Sequence, residues 1–502
     1  MATDHAGVGA TGGATGAATA PSGAPPTEGT FVRGLGLFDA TTIVAGAMIG
    51  SGIFIVSQDI AKTVGSTGWL LGVWAATGVM TVMGALCYGE LAAMYPRAGG
   101  QYVYLREAFS PLWGFLYGWT LFMVIQSGSI AAVGVAFAKY LGVILPAVST
   151  TNWLCRGPDL HVGTMTIPVG INTAQLIGIA VIALLTANNC INLNAGKRVQ
   201  NIFTVAKALS LVLIIGVGFA ASQPDAALRE GAFFSPSNAA GEPLVGLALF
   251  AAFWMAMVGS MFAADAWNNV TFVAAEVKKP ERNVARALVL GAGGVVGLYF
   301  LVNIAYLNVL PFQMIANAPE QRVAAAAMER VFSFGALAIA VVVMVSTFGC
   351  LNGMILAGPR LYYAMARDGL FFSAAGKLGR RSGVPTKGLI IQGIWSAVLT
   401  LTGTYSDLLD YVIFAAVLFY VLTVIGIFVL RRRVPALPRP YRVVGYPWMP
   451  VLYIVLGSVM MLILLLYKPL YTWPGLVLVA IGVPVYVFWR ALRKHPAATP
   501  AA

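Results

Sequence analysis

Long apolar runs recur along most of this 502-residue chain. A helix needs about 20 mostly apolar residues to cross a hydrocarbon core of about 30 Å, and such runs leave little room here for a soluble domain. Hydrophobic residues make up 59% of the sequence and charged residues only 10%, a composition that excludes an ordinary soluble globule. The sequence therefore predicts an all-α polytopic membrane protein embedded in a lipid bilayer.

Twelve membrane spans are predicted from these runs. Their approximate bounds are 36–60, 67–94, 111–145, 168–190, 199–221, 244–275, 285–310, 333–364, 387–404, 407–430, 448–467 and 471–490. The predicted division of the chain is a disordered cytoplasmic tail at 1–34, spans 1–5 within 35–221, spans 6–10 within 244–430, spans 11–12 within 431–490 and a cytoplasmic tail at 491–502.

The distribution of basic residues predicts the orientation of the spans. The net charge of +13 could indicate a nucleic-acid partner, but the charges are spread over the short loops between spans. If the N-terminus is cytoplasmic, most of the 31 lysines and arginines fall on the inner side, and Lys207 is the one assigned to neither side, because it lies deep inside span 5. This bias predicts that both termini are cytoplasmic, in a plasma or inner membrane, and that nucleic acid is not a partner.

No metal ion or cofactor is expected. The three histidines, His5, His161 and His495, lie in the tails or in a loop, so none is available for a metal site within the membrane. The sequence also lacks a His-Glu-x-x-His motif, which argues against an intramembrane enzyme. A channel is a further alternative, and it would conduct without depending on a counter-substrate.

Two long spans are interrupted near their middle. Span 1 has three glycines within residues 46–52, and span 6 has a polar patch within residues 262–269. In lipid, backbone groups freed by a break are tolerated only where they line a cavity or meet a partner. Breaks at corresponding positions of two five-helix halves predict an inverted-repeat transporter with its site near the midplane. Glycines that only allow close helix packing are the alternative, which the pairing of the two breaks disfavours.

The two breaks also suggest the chemistry of the ligand. A broken helix presents N–H groups at one end, which attract a carboxylate, and C=O groups at the other, which attract an ammonium. A zwitterionic amino acid carries both charges, so we expect the amides of residues 50–52 to bind its carboxylate and the carbonyls of residues 262–264 to bind its amine. The predicted substrate-binding residues are Ile49, Gly50, Ser51, Gly52, Ile53, Phe262, Ala263, Ala264, Asp265 and Trp267.

Several motifs resemble those of one transporter family. The chain is similar to the amino acid–polyamine–organocation superfamily, within its L-type amino acid transporter-like branch, over about residues 33–435. The segments that carry this resemblance are Gly50-Ser51-Gly52-Ile53-Phe54, Tyr95-Pro96-Arg97-Ala98-Gly99-Gly100-Gln101 through Glu107, Val199-Gln200-Asn201 through Lys207, Trp267-Asn268-Asn269, Glu276 through Asn283, Asn352-Gly353 through Arg360, and Ala364 through Phe371.

The resemblance implies a five-plus-five inverted repeat of the LeuT type, followed by two C-terminal helices, with alternating access between the repeats. It also implies sodium-independent uptake or exchange of amino acids, with Phe262 as an outer lid over the substrate. A packed aromatic is the alternative for Phe262. A sodium- or proton-coupled symporter of another small amine or organic cation on the same fold is the alternative function.

The sequence departs from the family in span 6. Ala264 replaces an aromatic residue, Ala266 replaces a glycine, and Ala275 replaces the first acid of a Glu-Glu pair. The small side chains at this break predict a pocket that admits medium or large neutral substrates.

Lys207 is the first of the residues predicted to act in coupling or gating. It lies nine residues beyond Arg198, which places it about 13 Å into the membrane at 1.5 Å per residue. A lysine at that depth should face the bundle interior. By resemblance, its ammonium takes the place of the ion that sodium-coupled relatives hold between spans 1 and 8. A purely structural tether is the alternative.

Four other polar side chains within the spans have two interpretations each. Ser346 and Thr347 in span 8 could ligate an ion facing span 1 or bond to their own helix. Glu90 in span 2 is predicted to be structural or part of an inner gate. Asp265 is expected to cap unwound backbone, with direct substrate contact as the second interpretation.

The expected partners are an amino acid and the lipid bilayer. The sequence does not decide whether the protein forms a homo-oligomer. By resemblance, Cys155 lies in the loop between spans 3 and 4, where eukaryotic family members carry a cysteine linked to a heavy subunit. The sequence has no other sign of such a subunit, so Cys155 is expected to be a free thiol and a heavy subunit is not expected.

Overall fold

The structure is a computed structural model of the chain. The residues that it describes are 33–158, 160–162, 165–167, 170–191, 193–231, 233–238, 241–379, 382–401 and 405–494. The tails predicted at 1–34 and 491–502 therefore lie mostly outside the described residues.

Helices dominate the described residues. They are α1 Leu37–Met48, α2 Gly52–Ile55, α3 Ser57–Val64, α4 Thr67–Met94, α5 Gln101–Ala108, α6 Pro111–Thr120, α7 Gln126–Ile144, α8 Thr173–Ile191, α9 Leu193–Ala220, α10 Gly246–Ala263, α11 Asn269–Phe272, α12 Pro280–Val309, α13 Phe312–Ala316, α14 Val323–Val331, α15 Gly335–Arg367, α16 Thr386–Thr400, α17 Tyr405–Arg433, α18 Trp448–Tyr467 and α19 Pro469–Lys494. A π-helical turn at Leu121–Ile125 joins α6 to α7, so these two helices form one continuous span.

Four short strands lie in the loop between spans 3 and 4. They are β1 Trp153–Arg156, β2 Leu160–Val162, β3 Met165–Ile167 and β4 Gly170–Asn172. β1 pairs with β4 and β2 pairs with β3, both antiparallel, so the loop folds as a nested hairpin. Cys155 lies on β1 opposite Ile171 and is exposed.

The all-α polytopic class predicted from the sequence is confirmed. Within the described residues, 11 helical segments are long and apolar enough to cross a membrane. The span predicted at 387–404 corresponds to α16, which has 15 residues and covers about 22 Å at 1.5 Å per residue. The count of twelve spans and the inverted repeat therefore stay predictions.

The broken spans 1 and 6 lie at the centre of the bundle. Span 1 packs against α9, α12 and α15, and 78% of its most apolar stretch is buried, whereas only 22% is buried in the last span. Helix α10 of span 6 contacts α2 and α3, and α11 contacts α1. The two broken spans therefore contact each other within the bundle, where their breaks can enclose a polar site.

Both predicted interruptions are confirmed. In span 1, α1 ends at Met48 and α2 begins at Gly52, so residues 49–51 are not helical. In span 6, α10 ends at Ala263 and α11 begins at Asn269. Ala266 within this second break has a φ of 63°, in the left-handed region that favours glycine. This geometry fits the glycine that the resemblance implies at this position.

Candidate functional site

A cavity lies between the two breaks, and we call it the central cavity. Its walls come from spans 1, 3, 6 and 8. The residues that line it are Ala47, Met48, Gly50, Ser51, Gly52, Ser129, Val133, Phe262, Ala263, Asp265, Ala266, Cys350 and Met354. Both broken helices therefore border one enclosed space near the middle of the bundle.

A second, more polar space adjoins the central cavity, and we call it the polar pocket. Its lining includes side chains from spans 3, 6, 8 and 10. These residues are Tyr117, Leu121, Ile125, Gln126, Ser129, Asp265, Ala266, Asn268, Asn269, Met354, Ala416 and Tyr420. Ser129, Asp265, Ala266 and Met354 line both spaces, so the two are contiguous.

Six of the predicted substrate-binding residues line the central cavity. They are Gly50, Ser51, Gly52, Phe262, Ala263 and Asp265. The other four line neither space, because they are buried in packing between helices. These four are Ile49, Ile53, Ala264 and Trp267. The prediction that the pocket admits medium or large substrates therefore depends on Ala263 and Ala266, since Ala264 does not line the cavity.

The glycines of span 1 are required by packing as well as by the cavity. A Cβ atom on Gly52 would lie 2.6 Å from the Ala263 Cβ and 2.7 Å from the Ala263 Cα. A Cβ atom on Gly50 would lie 2.9 Å from the Cys350 Sγ. The break in span 1 therefore rests directly on the break in span 6 and on span 8. Close packing and ligand approach are two uses of the same glycines.

Lys207 binds the unwound segment of span 1. Its side chain is fully buried, and its Nζ donates hydrogen bonds to the carbonyl oxygens of Gly46 at 2.5 Å and Ile49 at 2.7 Å. These carbonyls have lost helical partners at the break, so the ammonium satisfies them directly. Span 5 is tied to span 1 in this way.

The two hydroxyls of span 8 point in different directions. The Ser346 Oγ donates to the carbonyl oxygens of Ile49 and Gly50, both at 3.3 Å. The Thr347 Oγ1 donates to the Val343 carbonyl of its own helix at 2.7 Å. Ser346 thus shares the Ile49 carbonyl with Lys207, whereas Thr347 makes the bond to its own helix that was the alternative for it.

Other side chains satisfy the carbonyls at the end of α1. The Tyr299 hydroxyl donates to the Met48 oxygen at 2.8 Å, and the Cys350 Sγ donates to the Ala47 oxygen at 3.1 Å. Sequence reasoning missed these two residues, because Tyr299 lies in span 7 and neither residue belongs to a recognisable motif. The carbonyl oxygens at the break therefore accept hydrogen bonds from three spans, spans 5, 7 and 8.

A polar network starts at the break in span 6. The Tyr420 hydroxyl donates to Asp265 Oδ1 at 2.5 Å, and the Asn268 Nδ2 donates to Gln101 Oε1 at 3.0 Å. The Gln101 Nε2 in turn donates to the Thr423 Oγ1 at 2.9 Å. The network links the cavity wall to span 10 and to α5, which begins at the end of the Gly99-Gly100-Gln101 motif.

Phe262 and Trp267 have different surroundings. Phe262 is 8% exposed and lines the central cavity, a position that fits both the lid and the packed aromatic predicted for it. Trp267 packs edge-on against Tyr88, with ring centroids 4.8 Å apart, and tilted against Tyr420 at 5.3 Å. Trp267 therefore does not line the polar pocket but packs against Tyr420, which does.

Glu90 lies away from both spaces. It is fully buried near the predicted cytoplasmic end of span 2, where the Arg431 Nε and Nη2 donate to its two carboxylate oxygens at 2.9 and 2.7 Å. The Val443 backbone N–H donates to the same carboxylate at 2.8 Å. These bonds fasten the connector between spans 10 and 11 to span 2. These contacts fit both a structural role and an inner gate, so the two roles predicted for Glu90 stay predictions.

A buried ion pair fastens the predicted cytoplasmic end of the two broken helices. The Arg360 Nε of span 8 lies 3.1 Å from the Glu276 Oε1, and both side chains are almost fully buried. The Glu276 carbonyl oxygen also accepts from the N–H groups of Gly34 and Leu35, each at 3.0 Å. The chain entering span 1 is thereby bound to the chain leaving span 6.

A second cluster lies on the same side of the bundle. The Tyr102 hydroxyl donates to the Asp368 carboxylate at 2.6 Å, and Arg106 forms an ion pair with the same carboxylate. Burial and the Asp368 carboxylate raise the pKa of Tyr102, so its hydroxyl stays protonated and continues to donate. This cluster connects α5 to the end of span 8.

The donor set does not favour a metal ion. No group of three or more histidine, cysteine, aspartate or glutamate side chains lies close enough together to hold one within the part of the chain that the structure describes. The site consists instead of unwound backbone, small side chains and a few polar groups around a cavity. Two broken helices that meet at one cavity are typical of a transporter.

Comparison with known proteins gives the same class. The family model for amino acid permeases matches residues 35–487. The chain is 32% identical over 469 residues to the large neutral amino acids transporter small subunit 2 of Mus musculus, covering 92% of this chain and 82% of that protein. It is 31% identical over 474 residues to the Asc-type amino acid transporter 1 of Mus musculus, covering 92% and 82%.

A third relative is the b(0,+)-type amino acid transporter 1 of Mus musculus, which is 29% identical over 457 residues, covering 90% of this chain and 87% of that protein. The chain therefore belongs to the amino acid permease family. Its class is a transporter and not an enzyme, as the sequence predicted. One relative is named a small subunit, so the comparisons do not support the expectation that a heavy subunit is absent.

Proposed function

We propose that this protein is a sodium-independent secondary transporter of amino acids that works by alternating access. The substrate sits in the central cavity, with its carboxylate at the amides of residues 50–52 and its amine at the carbonyls of residues 262–264. The observation that carries the proposal is the meeting of two broken helices at one cavity. Helix ends of opposite polarity suit the two charges of a zwitterion.

Lys207 supports sodium independence. A sodium ion between spans 1 and 8 would need oxygen ligands from the unwound backbone, and the ammonium already bonds the Gly46 and Ile49 oxygens. A second cation beside this buried ammonium would be strongly repelled at low dielectric. The same contact couples span 5 to the segment of span 1 that moves around the substrate.

The Glu276–Arg360 ion pair supports a closed inner side. It joins span 8 to the end of span 6, and the backbone of Glu276 holds the chain that enters span 1. Release toward the cytoplasm then requires these contacts to part, while Phe262 covers the substrate from the outer side. We place both termini in the cytoplasm, on the basis of the arginine and lysine distribution.

The proposal is tested with purified protein in proteoliposomes. Uptake of labelled leucine is measured with sodium or choline outside, with and without amino acids inside, and after a pH jump. Uptake that is independent of sodium supports the proposal, and stimulation by internal amino acid assigns exchange. Sodium-stimulated uptake would support the alternative symporter, and a current without counter-substrate dependence would indicate a channel.

A further inference from the structure

One face of span 7 is exposed and carries charge at one end only. All the exposed residues of helix α12 follow one another at intervals of three or four positions, so they share a single face of the helix. These residues are Arg282, Arg286, Leu290, Gly294, Gly297 and Leu301. We call this stripe the outer face of α12.

The charged end of the outer face has no acidic partner. Arg282 and Arg286 lie one helical turn apart, and neither forms an ion pair within the described part of the chain. Residues 278–286 also contain the exposed Lys278 and Lys279 and one acid, Glu281. The segment therefore has four bases and one acid, and its net positive charge attracts an anion. Two adjacent guanidinium groups suit a phosphate, because each offers planar N–H donors to its oxygens.

Beyond the arginines, the outer face forms a shallow apolar depression. A Cβ atom added to Gly294 or Gly297 would meet no atom within 4 Å, whereas Leu290 and Leu301, at the two ends of this stretch, are 57% and 41% exposed. Gly297 lies eleven residues beyond Arg286, about 16 Å at 1.5 Å per residue. Half of a hydrocarbon core is about 15 Å. The depression therefore extends from the arginines over about the depth of one lipid leaflet.

The opposite side of α12 packs against span 1. A Cβ atom on Gly291 would lie 2.6 Å from the Val44 Cβ, and the Tyr299 hydroxyl donates to the Met48 carbonyl oxygen. The outer face thus points away from the contact with span 1, and none of its residues lines the central cavity or the polar pocket. A ligand on this face would be separate from the substrate.

The charge of the outer face favours a lipid over a second copy of the chain. Two copies with the same orientation in the membrane, related by a twofold axis, would place the same surface of each copy opposite the other. Arg282 and Arg286 would then face the same arginines of the second copy, and like charges repel. The phosphate of a lipid has the opposite charge.

We propose that the outer face of α12 binds an anionic phospholipid. Its phosphate lies at the guanidinium groups of Arg282 and Arg286, and one acyl chain runs along Gly294 and Gly297. With the termini in the cytoplasm, as proposed above, the lipid belongs to the cytoplasmic leaflet. Basic groups on that side of membrane proteins recognise anionic headgroups. The site does not depend on which substrate the protein carries.

The test titrates the purified full chain in detergent with phosphatidylglycerol or with zwitterionic phosphatidylcholine, and native mass spectrometry measures the bound lipid. We expect phosphatidylglycerol to bind the wild type more tightly than phosphatidylcholine. One basic residue near an anionic surface changes the affinity about fivefold. The variant Arg282→Gln/Arg286→Gln should therefore bind phosphatidylglycerol at least about tenfold more weakly than the wild type.

Two matched controls separate a site from a general effect. Arg432→Gln/Arg442→Gln removes two other exposed arginines on the predicted cytoplasmic side, and it should leave phosphatidylglycerol binding unchanged. Gly294→Leu should weaken this binding, because the new side chain fills the depression along which the acyl chain packs. Gly216→Leu adds the same side chain at an open, exposed position of span 5 and should not weaken it.

Several results would overturn the inference. One is equal phosphatidylglycerol binding by the wild type and Arg282→Gln/Arg286→Gln. An equal loss in Arg432→Gln/Arg442→Gln would show only the general attraction of a basic surface. Binding of sn-glycerol 3-phosphate as tight as that of phosphatidylglycerol would indicate a site for free phosphate compounds. A wild-type dimer that dissociates in Gly294→Leu would assign the face to a second copy. If a variant does not survive native mass spectrometry, thermal stabilisation by phosphatidylglycerol in detergent gives the same comparison, and a shift equal to that of the wild type overturns the inference.

Discussion

The ammonium of Lys207 lies 2.5 Å from the Gly46 carbonyl oxygen and 2.7 Å from the Ile49 carbonyl oxygen. One side chain from span 5 therefore joins the last turn of α1 to the first residue of the unwound segment that separates α1 from α2. Any movement of this segment during transport stretches or breaks at least one of these bonds. We therefore expect Lys207 to couple span 5 to movements of span 1.

Lys207→Ala should reduce amino acid uptake at least about tenfold, because loss of a charge-assisted bond in a buried site costs about 1.5–3 kcal/mol. Initial rates in proteoliposomes measure the effect. The matched control is Ser210→Ala, one turn further along span 5, where the hydroxyl bonds only the Ala206 carbonyl of its own helix. Equal uptake by Lys207→Ala and wild type would show that the tether has no role in transport.

The pH dependence separates the two interpretations of Lys207. If the lysine gains and loses a proton during transport, the wild-type rate should change between about pH 5 and 9, and Lys207→Ala should lose that change. A permanent tether predicts a flat wild-type profile. Uptake measured across this range in both proteins distinguishes these cases, with the internal pH clamped to the external value.

Gly52→Ala should destabilise the protein by about 1–3 kcal/mol, because the new methyl group would overlap the backbone of Ala263. Thermal denaturation in detergent measures this effect. Gly216→Ala in span 5 is the control, since a Cβ atom there meets nothing within 4 Å. If the two variants were equally stable, the two breaks would not be in the close contact described here.

The breaks could be predicted from the sequence because glycines and polar residues stand out within an apolar run. Which residues of a break face the cavity could not be predicted. Helical periodicity no longer applies where the helix unwinds, so Gly50 lines the cavity while its neighbour Ile49 is buried in packing. The same limit explains why Ala264 was expected to face the substrate and does not line the cavity.

The contacts that fasten the inner side were also beyond sequence reasoning. Arg360 and Glu276 are 84 positions apart, and Glu90 and Arg431 are 341 apart, so nothing local relates them. The motif around Gly100 could be recognised in the sequence, but the structural requirement for glycine at position 100 could not be predicted. Gly100 has a φ of 44° and lies so close to Thr271 that a Cβ atom would be 2.8 Å from the Thr271 carbonyl carbon. Only tertiary structure supplies that reason.

Arg360→Ala should destabilise the protein by about 3–5 kcal/mol, because it leaves Glu276 buried without a counter-charge. Arg330→Ala is the control, since its ion pair with Asp225 is exposed and should contribute at most about 1 kcal/mol. Denaturation in detergent compares both with the wild type.

The double variant Arg360→Met/Glu276→Leu tests the cause of that loss. Replacement of a buried ion pair by apolar side chains is often neutral, so the double variant should recover most of the stability lost in Arg360→Ala. A double variant less stable than Arg360→Ala would show that packing of the guanidinium, and not the unpaired carboxylate, explains the effect.

Cys155 should be labelled by a membrane-impermeant maleimide added to intact cells that express this chain alone. It is exposed on β1, in the loop predicted to be extracellular, whereas Cys87 and Cys350 are buried within spans. A thiolate must reach the reagent to react, so buried thiols react far more slowly. Cys155→Ser should therefore remove most of the label from intact cells, while Cys87→Ser should leave it unchanged. Labelling of Cys155 that appeared only after the cells were permeabilised would reverse the proposed orientation and place both termini outside.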